Sequence, residues 1–144
     1  MTVSYKQASE TDIEDIAPLV EALGYDFNFA VVYKTFKSLQ TRGDSLVIAT
    51  SNGQILGMVQ TLVDVRIAEG ISGEIVSLCV LPSFRSKGIA KNLINTARAI
   101  LVSKGCSTLR VRANDERKEV KDIYIRIGFE HIKKQNVLMQ KIVQ

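Results

Sequence analysis

The segment Arg85-Ser-Lys-Gly88-Ile-Ala90 has the residue types of an anion site. It opens a run with helical apolar spacing, and the first turn of a helix exposes unpaired N–H groups and a partial positive charge. Phosphates bind there for both reasons. Gly88 has no side chain and lets a diphosphate come close to the backbone, and Ala90 is the next smallest residue. Arg85, Lys87 and Lys91 add full charges nearby. The segment matches neither the Walker pattern nor the Gly-x-Gly-x-x-Gly of dinucleotide sites. Taken alone, an ordinary helix start explains it equally well.

The flanking elements must hold this segment in place. Glu74–Val80 is apolar on nearly every residue, which predicts a strand buried on both faces and central in its sheet, and Pro82 ends it. From Gly88 to Lys104, Ile89, Leu93, Ile94, Ala97, Ile100 and Leu101 recur at helical spacing, and Gly105 stops the helix. Upstream, Val3–Ala8 reads as a first strand. Thr11-Asp-Ile-Glu14 matches a capping box, and Pro18 is expected to kink the helix that follows. Val31–Leu39 reads as a second helix. Ser45–Thr50 and Ile55–Arg66 read as strands joined by Asn52-Gly53, a type I′ turn, with Gly57 marking a bulge or a close approach. Residues 68–73 read as a loop. Thr108–Arg112 predicts a strand, Lys118–Ile127 a helix, and Phe129–Ile132 with Val137–Ile142 a closing strand pair. The order β-α-α-β-β-β-α-β-α-β-β predicts an α+β (mixed α/β) fold with a single central sheet flanked by helices, one domain over residues 1–144.

Composition narrows the function classes. The chain is 46% hydrophobic and 24% charged, which suits a soluble domain with its own core. No apolar run is long enough to span a membrane, and the first residues do not resemble a signal peptide, so a cytoplasmic location is expected. Cys79, Cys106 and the single His131 form no cluster, so no metal is expected. The net charge of +4 is spread along the chain, without an aromatic-rich motif, zinc finger or basic zipper, so nucleic acid is not an expected partner.

The run from Glu74 through Ala90, followed by Tyr124-Ile-Arg-Ile-Gly128-Phe129, resembles the GNAT superfamily of N-acetyltransferases. In that family a strand ending in Val-x-Pro leads into Arg-x-x-Gly-x-Gly/Ala and a helix, and a later Tyr-x-x-x-Gly-Phe joins a helix to a strand. The spacings and the element order fit over nearly the whole chain. The resemblance implies a mixed sheet and acetyl-CoA as cosubstrate. The backbone of Leu78, Cys79 and Val80 would pair with the pantetheine amides as an added strand does. The backbone of Arg85, Ser86, Lys87, Gly88, Ile89 and Ala90 would hold the pyrophosphate. Tyr124 would protonate the leaving thiolate, with a helix residue packing beneath the cofactor as the plainer role. Glu74 occupies the position of a general base in one branch, where desolvation would raise its pKa and water would relay the proton. Its plainer role is a strand-end carboxylate facing solvent. Arg117 stands where many relatives place a cofactor-contacting Asn, and Ser86 replaces a common Gly. The segment around Arg117 and Tyr124 looks more like the branch holding aminoglycoside and aminoalkylphosphonate acetyltransferases.

By the same resemblance the acceptor lies over the first two helices and the loop before the strand at Glu74. Tyr25, Asp26, Phe29 and Tyr33 combine rings with a carboxylate, which suits a small cationic amine, although ordinary packing accounts for them as well. Two other readings stand beside it: acetylation of a protein lysine or N-terminus, and a non-catalytic acyl-CoA-binding regulator. A homodimer is compatible with the sequence but not indicated by it.

Overall fold

The computed structural model describes residues 1–113 and 118–143, with the side chains of Lys118 and Glu119 also outside the description. It divides into two compact units, Met1–Arg112 and Ala113–Gln144.

The first unit is built on a five-stranded sheet in the order β1-β2-β3-β4-β5. These strands are Ser4–Gln7, Leu46–Ser51, Gln54–Arg66, Gly70–Val80 and Leu109–Val111. The first four run antiparallel to their neighbours, and β5 pairs parallel to β4. That parallel pairing requires a crossover, supplied by the helix α3 at Ile89–Ser103. The sheet is therefore mixed, flanked by α1 (Ala17–Ala22) and α2 (Phe29–Thr41) besides α3. Asn52 and Gly53 both take positive φ, as the type I′ turn between β2 and β3 demands.

The two faces of the sheet have separate cores. Ile13, Ile16, Leu19, Phe36 and Leu39 pack with Leu46, Ile48, Met58 and Cys79 on one face. On the other, Gly57 and Gly73 turn toward Leu93 and Leu101 of α3. A Cβ on Gly57 would come 3.0 Å from the Cys79 carbonyl and 3.1 Å from Leu93, the close approach expected of this glycine. At Gly73 it would come 2.8 Å from Leu101 Cδ1. Gly73→Val is thus expected to cost about 1–3 kcal/mol by overpacking. Urea unfolding with a lowered midpoint and an unchanged slope checks this; a wild-type midpoint would overturn the facing of β4.

Three sequence expectations are corrected. Thr11 and Glu14 do not form the cap; Ser9 does, its N–H donating to Asp12 Oδ2 at 2.9 Å over a 3₁₀ turn. Pro18 does not kink a helix but lies in the first turn of α1, where its missing N–H is one the helix would leave unpaired anyway. The strand at Glu74 begins earlier, at Gly70, because β3 pairs with it along most of its length.

The second unit contains α4, Lys118–Arg126. It ends in a Schellman motif: Gly128, at φ +106°, donates to Ile125 O, and Phe129 donates back to Tyr124 O at 3.0 Å. The closing strand pair expected at Phe129–Ile132 and Val137–Ile142 is not formed. Ile132, Val137, Leu138, Met139 and Ile142 are each 79–96% exposed, so the segment has no packed face, and an isolated hairpin is marginal in water. Among the described residues no helix is long and apolar enough to cross a membrane.

Candidate functional site

Residues 85–90 lie at the start of α3, as the sequence predicts. After Pro82–Phe84, a 3₁₀ turn, the chain reaches Ser86 at φ +62° and Gly88 at φ +83° before entering α3. A left-handed residue beside a right-handed one turns successive backbone N–H groups toward an anion, and Ser86 and Gly88 each supply the left-handed half of that pattern. Gly88 is the N-cap, and no side chain caps this helix. A Cβ on Gly88 would meet nothing within 4 Å, so open space adjoins the backbone at the helix start. Lys87 and Lys91 are exposed and have no carboxylate partner among the described residues. Arg85 differs from the expectation of a simple charge: its Nε donates to the Val80 carbonyl at 2.9 Å, tying the loop to the end of β4. Ile89 is buried against the core, and Ala90 is half-buried.

Just before this loop, β4 carries a bulge that nothing in Glu74–Val80 announces. Met58 pairs with Cys79 but Gln60 with Val76, so Ser77 and Leu78 together oppose Val59. Ser77 takes φ +57°, a costly conformation for a residue with a Cβ. Beyond the bulge β4 also leaves its other neighbour. The pairing with β5 covers only Gly73, Glu74 and Ile75. Among the described residues, the edge of β4 from Val76 to Val80 is thus open on that side. Leu78, Cys79 and Val80 lie along this open edge, with the Cys79 side chain turned into the core and the Val80 carbonyl already accepting from Arg85. An open edge that runs into an uncapped helix N-terminus fits an acyl carrier with a peptide-like arm and a diphosphate.

Glu74 is 7% exposed and is not a lone desolvated carboxylate. Arg110 Nε donates to its Oε1 at 2.9 Å, and Arg112 Nε stands 3.4 Å from Oε2. Arg110 also binds Asp64, which pairs with Arg66 at 2.8 Å, and Arg66 reaches Glu69 at 3.1 Å. The register explains the array. Glu74 opposes Leu62 on β3 and Arg110 on β5, so Asp64, Glu74, Arg110 and Arg112 share the sheet face opposite α3. The hydrogen bond from Arg110 is the main cause holding the Asp64 carboxyl below the ordinary aspartate range. A lowered carboxyl stabilises the fold above its unfolded pKa and loses that contribution as pH falls below about 4. Melting curves of the native chain and Asp64→Asn are accordingly expected to differ at neutral pH and converge in acid; a constant gap would overturn the pairing.

Tyr124 is buried, and burial raises its phenol. Its ring meets Phe129 edge-on at 5.5 Å, the side-chain contact of the Schellman motif that Gly128 makes. The Tyr-x-x-x-Gly-Phe pattern therefore has a local structural account within the second unit. Arg117 lies outside the described residues. Among the acceptor candidates, Phe29 and Tyr33 stack at 5.6 Å along the first turn of α2, whose cap is Asn28. Tyr25 and Asp26 stand exposed on the preceding loop, and Tyr25 makes no ring contact with that pair.

Comparison with known proteins identifies the family and the fold. The chain matches the family described as "Acetyltransferase (GNAT) family" over residues 13–129. Among solved structures it is similar to the aminoglycoside N-acetyltransferase AAC(6')-Iy bound to a bisubstrate analogue of CoA and acetylneamine. The two are 19% identical with a TM-score of 0.88, over 98% of this chain and 99% of that one. It is also similar to glucosamine-6-phosphate N-acetyltransferase from Arabidopsis thaliana (16% identity, TM-score 0.79, all of both chains). An acetyltransferase from Trypanosoma brucei gives 20% identity and a TM-score of 0.82, over 96% of this chain and all of that one. The chain belongs to the GNAT acetyltransferase family and is an acetyl-CoA-dependent N-acetyltransferase.

Proposed function

We propose that residues 1–144 act as one N-acetyltransferase domain that modifies a primary amine on a small molecule. The observation that carries this is the open edge of β4 leading into the left-handed loop at Ser86 and Gly88. Acetyl-CoA would supply the thioester acyl group. The backbone of Leu78, Cys79 and Val80 would align its arm, and the N–H groups of residues 85–90 would receive the diphosphate, with Lys87 and Lys91 lowering the cost of its charge. The Val80 carbonyl, held by Arg85, keeps the two parts of the cradle in register.

The acceptor amine must be neutral to attack, so it loses a proton, while the departing thiolate gains one. Tyr124 is the acid in this reading, because burial keeps its phenol protonated at neutral pH. Glu74 or a water beside it takes the amine proton. That both Glu74 oxygens already face arginines supports the water route, with Glu74 orienting rather than collecting the proton. Relatives of the same fold named for aminoglycoside and glucosamine-6-phosphate acetylation support a small acceptor over a protein one. The test is thiol release from acetyl-CoA across aminoglycosides, polyamines, aminoalkylphosphonates and peptides. Release with a small amine is the expected result; tight CoA binding without turnover for any of them would assign a regulatory binding module instead.

A further inference from the structure

We propose that the acceptor carries an anionic group beside its amine, a carboxylate or a phosphate-type oxyanion, and that Arg112 receives it. This rests on the acetyltransferase reading and on an acceptor lying over the start of β4. Three arginines and three carboxylates interlock there, and each carboxylate of the array holds at least one arginine. Asp64 holds Arg66 and Arg110, Glu69 holds Arg66, and Glu74 holds Arg110 and Arg112. Each negative charge of the array is thus balanced by a guanidinium.

Arg112 is the exception on the positive side. Its one partner among the described residues is Glu74, reached through Nε at 3.4 Å, and the side chain is 53% exposed. Neither Nη group has a partner among the described residues. A guanidinium with its fork unoccupied is built to take a planar or tetrahedral oxyanion in two parallel hydrogen bonds. Arg110 lies two residues away on the same face, fixed by Asp64 and Glu74, and adds positive potential behind the fork. Arg112 is thus a specificity residue, distinct from the base and acid. The array narrows the acceptor from cationic amines in general to amines that carry their own counter-charge.

The experiment compares kcat/KM for phosphoethanolamine, β-alanine, ethanolamine, putrescine and kanamycin, with native chain and with Arg112→Ala. The expected result is a preference of about tenfold or more for an anionic amine over ethanolamine, as for a hydrogen bond to a charged group. Phosphoethanolamine against β-alanine tells which oxyanion is meant. In Arg112→Ala the ratio of anionic to neutral acceptor is expected to fall by about 10- to 100-fold, mainly through KM, with partial return in Arg112→Lys. The variant keeps the Arg110 pair on Glu74, and its melting curve verifies folding. A preference for putrescine or kanamycin, or an unchanged ratio in the variant, overturns the acceptor proposal alone. Absence of thiol release with every amine overturns the acetyltransferase reading and this proposal with it.

Discussion

Gly88→Glu is expected to abolish CoA binding while the chain still folds. The folding half follows from two facts about the position. Its φ of +83° strains any residue with a side chain by about 1–2 kcal/mol, yet a Cβ there has nothing within 4 Å to strike. The binding half follows from the proposed seat of the diphosphate. A carboxylate placed against the N–H groups at the start of α3 occupies the diphosphate position and repels its charge. We expect at least a 100-fold loss of affinity, about 2.7 kcal/mol, read by calorimetry or by loss of thermal stabilisation on adding CoA. Gly88→Ala separates the two effects, since it carries the strain without the charge, and it is expected to retain binding. A Gly88→Glu chain that gains as much thermal stability from CoA as the native one would sink the assignment of this loop.

Tyr124→Phe is expected to lower kcat by about 100-fold, the scale of a lost general acid, with CoA affinity little changed. Phenylalanine keeps the edge-on contact with Phe129 and the helix end at Gly128, so the second unit retains its local packing. Only the hydroxyl disappears. Burial raises that hydroxyl's pKa, so the native enzyme is expected to remain active to pH values above the ordinary tyrosine range near 10 before the acid is lost. If the variant turns over at the native rate, Tyr124 is a packing residue of the Schellman motif and nothing more.

The Tyr124 motif shows how far a sequence reading goes. Tyr124, Gly128 and Phe129 belong to one local hydrogen-bonding pattern, and the entry of α3 at Gly88 is likewise local. Local chemistry writes such features into contiguous residues, and both were legible. Ser77 was not. A serine in a left-handed bulge is imposed by the pairing of β4 with β3, and no neighbour in the strand signals it. The arginine array was equally hidden. Asp64, Glu74 and Arg110 come together only through the strand registers, so reading Glu74 alone suggested a desolvated base where the sheet supplies two guanidinium partners. The closing strands were expected from apolar spacing at Phe129–Ile142. Spacing states what a segment can bury, not whether a surface exists to bury it against.

The Arg85 bond to the last carbonyl of β4 has a mechanical consequence. It lashes the turn proposed to cup the diphosphate to the rail along which the carrier's arm would lie. Movement of either part is then transmitted to the other. A carrier seated by its phosphates would thereby arrive with its thioester end already aimed, and a chain deprived of this guanidinium would hold the two ends of the same molecule with independent, uncoordinated grips.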